Sequence, residues 1–125
     1  MKRPHTVLVV DDEPDVVQSV QGLLRLEFRV LGATRAKEGL EIMRREEVHV
    51  VMSDQRMPEM TGVEFLQRAI AIQPSAKRLL LTAYADVEAI VHAAERGGHI
   101  GDVLVGVRGG QRQGEDLVAR AFRDR

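Results

Sequence analysis

No cysteine occurs among the 125 residues, which excludes disulfides and thiol chemistry. No apolar run approaches the ~20 residues that a bilayer-spanning helix needs. No signal peptide opens the chain either, so the expected compartment is the cytoplasm, without a membrane partner. A surplus of one charge is also missing. Basic residues number 18 against 19 acidic, and a net charge of −1 gives no general attraction to nucleic acid. The pattern G-x-x-x-x-G-K-[ST] is absent, so there is no P-loop. No lysine follows Lys77, a gap that gains meaning below. What is present is 44% hydrophobic residues in a length usual for one domain, enough for a real core. A single domain over residues 1–125 is expected.

Strand-like and helix-like patterns alternate along the chain, which predicts a parallel sheet covered by helices on both faces. Thr6 to Val10 reads as the first strand. Pro14 suits the first turn of a helix whose Val16, Val17, Val20, Leu23 and Leu24 form one apolar face. Phe28 to Leu31 gives a short second strand, and Ala36, Leu40 and Met43 are spaced for a second helix. Val48 to Ser53 is the third strand. A third helix over Gly62 to Ile72 buries Val63, Leu66, Ala69 and Ile70, and Pro74 stops it. Arg78 to Thr82, Asp86 to Glu95, Val103 to Val107 and Glu115 to Phe122 complete the alternation as strand, helix, strand and helix. Seven of the eleven glycines lie between Gly97 and Gly114, and Gly106 interrupts the fifth strand.

The chemistry sits at the strand ends. Asp11 and Asp12 follow the run Val7-Leu8-Val9-Val10, and Asp54 follows the run from Val48 to Met52. Three carboxylates aimed at one place repel one another unless a cation lies among them, and their hard oxygens suit Mg²⁺. The crevice beyond the carboxyl ends of the strands is where open parallel sheets hold ligands. Thr82, ending the fourth strand, adds a hydroxyl that can donate to a phosphoryl oxygen. One carboxylate can then attack phosphorus in line, which describes an aspartyl-phosphate acceptor.

These residues resemble the receiver domains of two-component response regulators. The resemblance rests on VLVVDDEPD (Val7 to Asp15), VVMSDQRMPEMTGVEFL (Val50 to Leu66) and LLLTAYAD (Leu79 to Asp86), and covers residues 5 to about 95. It implies a flavodoxin-like (βα)5 fold, a three-layer α/β sandwich with a five-stranded parallel sheet of order 2-1-3-4-5. It also implies that Asp54 is the phosphoacceptor, that Asp12 binds Mg²⁺ directly and Asp11 through water, and that the Arg56 carbonyl is a further ligand. Thr82 would be the switch hydroxyl. Arg56 and Tyr84 would flank the phosphoryl group and tune its hydrolysis. Neither is a carboxylate or amide suited to orienting water, so slow phosphate loss is expected. Pro58 and Gly62 would form the tight turn into the third helix.

Residues 96–125 depart from that pattern. Gly106 and Val107 stand where the family carries Lys-Pro, and Val103 stands at the aromatic switch position. Arg108 or Arg112 offers a guanidinium, which is not interchangeable with an ammonium point charge.

Two functions follow from the resemblance. One is a phosphorylation-dependent switch, fed by a sensor histidine kinase or phosphotransfer protein and read by an output domain or downstream protein. A homodimer through the fourth and fifth helices is a further partnership that it implies. The other is a non-switching pseudo-receiver that serves as a protein interaction domain. Neither is an enzyme on an outside substrate; at most the chain phosphorylates itself from small donors and dephosphorylates itself. A haloacid-dehalogenase-type phosphatase needs its nucleophile and acid two residues apart after the first strand, and here the acids are adjacent. His5, His49, His92 and His99 show no metal-ligand spacing. The arginines of the tail (Arg108, Arg112, Arg120, Arg123 and Arg125) lack an aromatic platform, so direct nucleic-acid binding is not expected. The chain reads equally as a stand-alone regulator or as a receiver excised from a longer one.

Overall fold

The computed structural model describes residues 5–83, 103–108 and 121–122. Its elements run β1 (Thr6–Val10), α1 (Pro14–Leu24), β2 (Arg29–Ala33), α2 (Ala36–Arg45), β3 (Val50–Asp54), α3 (Gly62–Ile72), β4 (Lys77–Ala83), β5 (Val103–Arg108) and β6 (Ala121–Phe122). The sheet order is β2-β1-β3-β4-β5-β6. Strands β1 to β5 are all parallel, as the expected order 2-1-3-4-5 requires.

Alternation within each strand divides the core between the two faces of the sheet. Leu8, Val10, Val51, Leu80, Val103 and Val105 point to the face covered by α2 and α3, where Phe65 and Leu66 are fully buried. Val7 and Val9 point to the other face and meet Val17 of α1, with Val20, Leu24, Phe28, Val30, Val50 and Met52 around them. Both faces of β1 are therefore buried, which is why its sequence is an unbroken apolar run rather than an alternating one. Met57 and Met60 pack against the α2/α3 side, as methionines filling gaps do.

Helix ends are closed by particular side chains. Pro14 stands in the first turn of α1, and Asp11 Oδ1 accepts the Glu13 N–H at 2.9 Å just before it. A capping box starts α3, with Thr61 Oγ1 accepting from the Glu64 N–H and Glu64 Oε1 accepting from the Thr61 N–H. Gln73 closes α2 from a distance. Its Nε2 donates to the carbonyls of Met43 (2.6 Å) and Glu46 (2.7 Å), while its Oε1 accepts from the Val48 N–H (3.0 Å). Two end carbonyls of α2 and the approach to β3 are thereby satisfied by one amide.

Three local expectations need correction, at Leu23, at Ile70 and at residues 121–122. Leu23 is 80% exposed, because the stripe that meets the sheet is Val17, Val20 and Leu24, and Leu23 lies about 100° round the helix from Leu24. Phe65, rather than Ile70, fills the centre of α3's buried face. His5 and His49, far apart in sequence, meet edge to face with ring centroids 4.8 Å apart, and His49 Nδ1 accepts the Thr6 N–H at 3.0 Å. Residues 121–122 form a strand antiparallel to β5 instead of ending a helix. The outer edge of β5 is open to further pairing, and two residues of the tail pair with it at Val103 and Leu104. The fourth helix expected over 86–95 and the remainder of the fifth lie outside the described residues.

Candidate functional site

The strand order reverses between β1 and β3. From β1 the chain goes through α1 to β2 on one side, then through α2 across to β3 on the other. The crevice above this switch point is unobstructed by a crossing connection, which makes it the ligand site of doubly wound sheets. Asp11 leaves the end of β1, and Asp54 ends β3.

The structure brings Asp11, Asp12 and Asp54 together. Each offers a carboxylate oxygen, and the three atoms lie within 4.8 Å of one another; this is the group among the described residues able to hold a metal ion. Asp11 and Asp54 are buried, at 3% and 8% exposure, whereas Asp12 is exposed. Two carboxylates enclosed beside a third are costly without a compensating positive charge. Backbone N–H groups supply part of that compensation, since Asp54 Oδ1 accepts from the Gln55 N–H at 2.8 Å and Asp11 from the Glu13 N–H. The acidic helix start at Glu13 is not the reason for the cluster, because Glu13 makes no side-chain cap at α1.

Thr82 is 1% exposed, and its Oγ1 has no hydrogen-bond partner among the described residues. A buried hydroxyl of that kind is uncommon and costs stability. It stands one residue beyond Leu81, the β4 residue in register with Asp54. Leu81 is in turn in register with Gly106, so a single row across the sheet runs Asp54, Leu81, Gly106. No side chain extends from the last of these. Val103, also in β5, is buried at 1% exposure, an aliphatic residue with no ring to rotate. Arg56 is exposed, in the loop after Asp54. Tyr84, Arg112, Arg120, Arg123, Arg125, His92 and His99 lie outside the described residues.

Gly62 is required where it is. A Cβ built on it would lie 2.3 Å from the Asp54 carbonyl oxygen and 2.6 Å from Leu80 Cδ1, so the loop returns against β3 with no room for a side chain. Gln55 takes part in the same turn, and nothing in its sequence position singled it out. Its contacts reach residues seven and eight positions away, which only the folded loop brings near.

A parallel sheet of this order, with acids at the ends of β1 and β3 and a buried hydroxyl on β4, defines a receiver-type α/β domain. The chain belongs to the response regulator receiver domain family, whose family model matches residues 7–101. It is 40% identical over 93 residues to the hydrogenase transcriptional regulatory protein HoxA of Cupriavidus necator, a match covering 74% of this chain and 19% of HoxA. The chain thus spans about a fifth of the length of such curated relatives. A CheY-like receiver domain protein from Methanospirillum hungatei superposes with a TM-score of 0.72 at 27% identity, covering 87% of this chain and 85% of that one. The response regulator TrrA of Thermotoga maritima, solved in complex with Mg²⁺ and BeF, superposes with a TM-score of 0.65 at 27% identity, covering 72% and 79%. Among the described residues no helix is long and apolar enough to cross a membrane.

Proposed function

We propose that the chain is a phosphoacceptor in a two-component phosphorelay, with Asp54 as the residue that takes the phosphoryl group. The observation that carries this reading is the convergence of Asp11, Asp12 and Asp54 within 4.8 Å at the switch point, two of them buried. Hard oxygen donors in that number fit Mg²⁺, which Asp11, Asp12, Asp54 and the Arg56 carbonyl would hold. The Mg²⁺ complex of TrrA supports the assignment. Bound there, the ion would neutralise charge on the acids and on the incoming phosphoryl oxygens.

The protein's own part is alignment and a donor. An oxygen of the Asp54 carboxylate attacks phosphorus, the P–N bond of a phosphohistidine breaks, and the released imidazole nitrogen takes up a proton from solvent. The Thr82 hydroxyl donates to a phosphoryl oxygen, which gives a partner to a group that otherwise has none among the described residues. The donor partner is a sensor histidine kinase or phosphotransfer protein, and the receiver of the signal is an output domain or downstream protein. A homodimer is part of the same reading. No group passes to an outside substrate, so the activity is self-modification in the cytoplasm rather than enzymatic turnover.

Intact-mass spectrometry after incubation with Mg²⁺ and acetyl phosphate tests this directly. The unaltered chain gains one phosphoryl group, and the gain disappears in Asp54→Asn and in metal-free buffer; no gain in the unaltered chain refutes the reading. Loss of the phosphoryl group is slow, since Arg56 is no guide for an attacking water and Tyr84 is likewise neither acid nor amide. Rapid decay of the mass shift would contradict that.

A second reading is favoured by Gly106 and Val103. Acceptance needs the acids and the metal, whereas response needs groups that move when phosphate arrives, and β5 supplies neither ammonium nor ring. A pseudo-receiver would take up phosphate and leave its surface unchanged. Amide chemical shifts of β5 recorded with and without phosphorylation separate the two, with unchanged shifts favouring the pseudo-receiver.

A further inference from the structure

The turn after Asp54 is gripped from two sides by one residue. The Gln55 N–H donates to Asp54 Oδ1 at 2.8 Å. The Gln55 carbonyl accepts from the Gly62 N–H at 2.9 Å, and its side-chain Oε1 accepts from the Val63 N–H at 3.0 Å. Those two N–H groups are the first of α3 and have no partners within the helix. The third, from Glu64, goes to Thr61 Oγ1. The start of α3 is therefore tied to the acceptor through Gln55, and the close approach of Gly62 to the Asp54 carbonyl leaves the turn little slack. A carboxylate held at Oδ1 is also fixed about its Cβ–Cγ bond, so the same contact places Oδ2.

We propose that Gln55 is a positioning residue for the reaction at Asp54. Its side-chain oxygen, anchored on Val63, holds the Asp54–Gln55 peptide at the angle that aims the acceptor carboxylate toward metal and phosphorus. The proposal rests on the acceptor reading above. Reach and chemistry both matter: the side chain must carry an oxygen acceptor across to the second residue of α3. Glutamate keeps that oxygen, asparagine falls one methylene short, and leucine removes it.

The test uses the full chain with Gln55→Leu, Gln55→Asn and Gln55→Glu, measuring Mg²⁺ affinity by calorimetry, phosphoryl uptake against acetyl phosphate concentration, and thermal unfolding. Gln55→Leu is expected to weaken Mg²⁺ binding about 10-fold and to slow saturating uptake about 10-fold, with the half-saturating donor concentration unchanged. Gln55→Glu should restore both to within about three-fold. Gln55→Asn should follow Gln55→Leu, and serves in its place if the leucine variant does not fold. Unchanged affinity and uptake in the folded leucine or asparagine variant would overturn the proposal even if the melting temperature fell, because the side chain would then be a helix cap alone. Equal losses in Gln55→Leu and Gln55→Glu would overturn it too. Failure of the acceptor reading is visible separately, as no uptake by the unaltered chain; the Mg²⁺ affinities then decide whether Gln55 places the carboxylate. Absence of both uptake and Mg²⁺ binding in the unaltered chain overturns the two together.

Discussion

Strands β1 to β4 and strand β5 are built equally well as backbone but differ in what their side chains can do. Strand β5 pairs with β4 over six residues, from Arg78↔Val103 to Ala83↔Arg108, as regularly as β1 pairs with β3. At the top of β1, β3 and β4 stand the acids and the buried hydroxyl. On β5 the corresponding row ends in Gly106, and Leu104 is 52% exposed. Backbone pairing needs only N–H and C=O groups, which every non-proline residue has, whereas phosphate sensing needs particular side chains in particular places. A strand can therefore keep its place in the sheet whatever side chains it carries, and pairing and chemistry are separable properties of one fold.

The largest expected effect falls in the first region. Asp54→Asn abolishes the phosphoryl mass gain, and in metal-free buffer its melting temperature is no lower than that of the unaltered chain, since one of three crowded charges is removed. A clear drop in melting temperature would break the assignment of the charged cluster to β1 and β3. Gly62→Ala comes next. Its methyl group meets the Asp54 carbonyl, so urea unfolding should show a loss of about 2 kcal/mol, with uptake impaired as well. Thr82→Val separates stability from chemistry within the same region. Removing a buried hydroxyl that lacks a partner among the described residues leaves stability unchanged or raises it by about 1 kcal/mol. Phosphoryl uptake should nevertheless slow by about 10-fold, because a donor to the phosphoryl oxygen is lost. A stability loss without slower uptake would return Thr82 to an ordinary packing role.

The smallest effect is expected in the second region. A Cβ at Gly106 meets the flexible end of Leu81 at 3.0 Å, so Gly106→Lys should change stability by less than about 0.5 kcal/mol. It restores an ammonium to the row of Asp54, and uptake should rise a few-fold by about 1 kcal/mol or less of charge stabilisation. Phosphorylation-dependent amide shifts appearing in β5 of this variant, and absent from the unaltered chain, would show that one missing charge separates acceptance from response. No change in either measure would put the deficit elsewhere in the tail.

Much of this was legible before the structure. The third helix was expected over Gly62 to Ile72 and is found there, because proline marks its end and the turn after Asp54 marks its start. β1 likewise matches residue for residue, since a doubly buried strand writes itself as an apolar run. β2 was misplaced toward Phe28, which instead packs beside α1, because a short edge strand has too few residues to show a period. The misjudged exposure of Leu23 has a similar cause: helical spacing names a stripe, and only the neighbouring sheet shows where the stripe ends.

By itself, then, the sequence determined the strands and helices from β1 to β4, with β2 displaced, and that acids end β1 and β3, because periodicity and punctuation act within a few residues. The strand order came through family resemblance, since local pattern does not say which strands are neighbours. Tertiary structure alone decided that Asp11 and Asp54 meet within 4.8 Å, that Thr82 is buried with its hydroxyl unpartnered among the described residues, and that Gln55 spans from Asp54 to α3. These are distances between residues remote along the chain, fixed by the crossover of β2 to β3 and by the packing of helices on two faces. Burial, and with it the cost of placing charge at Asp11 and Asp54, exists only once those layers close.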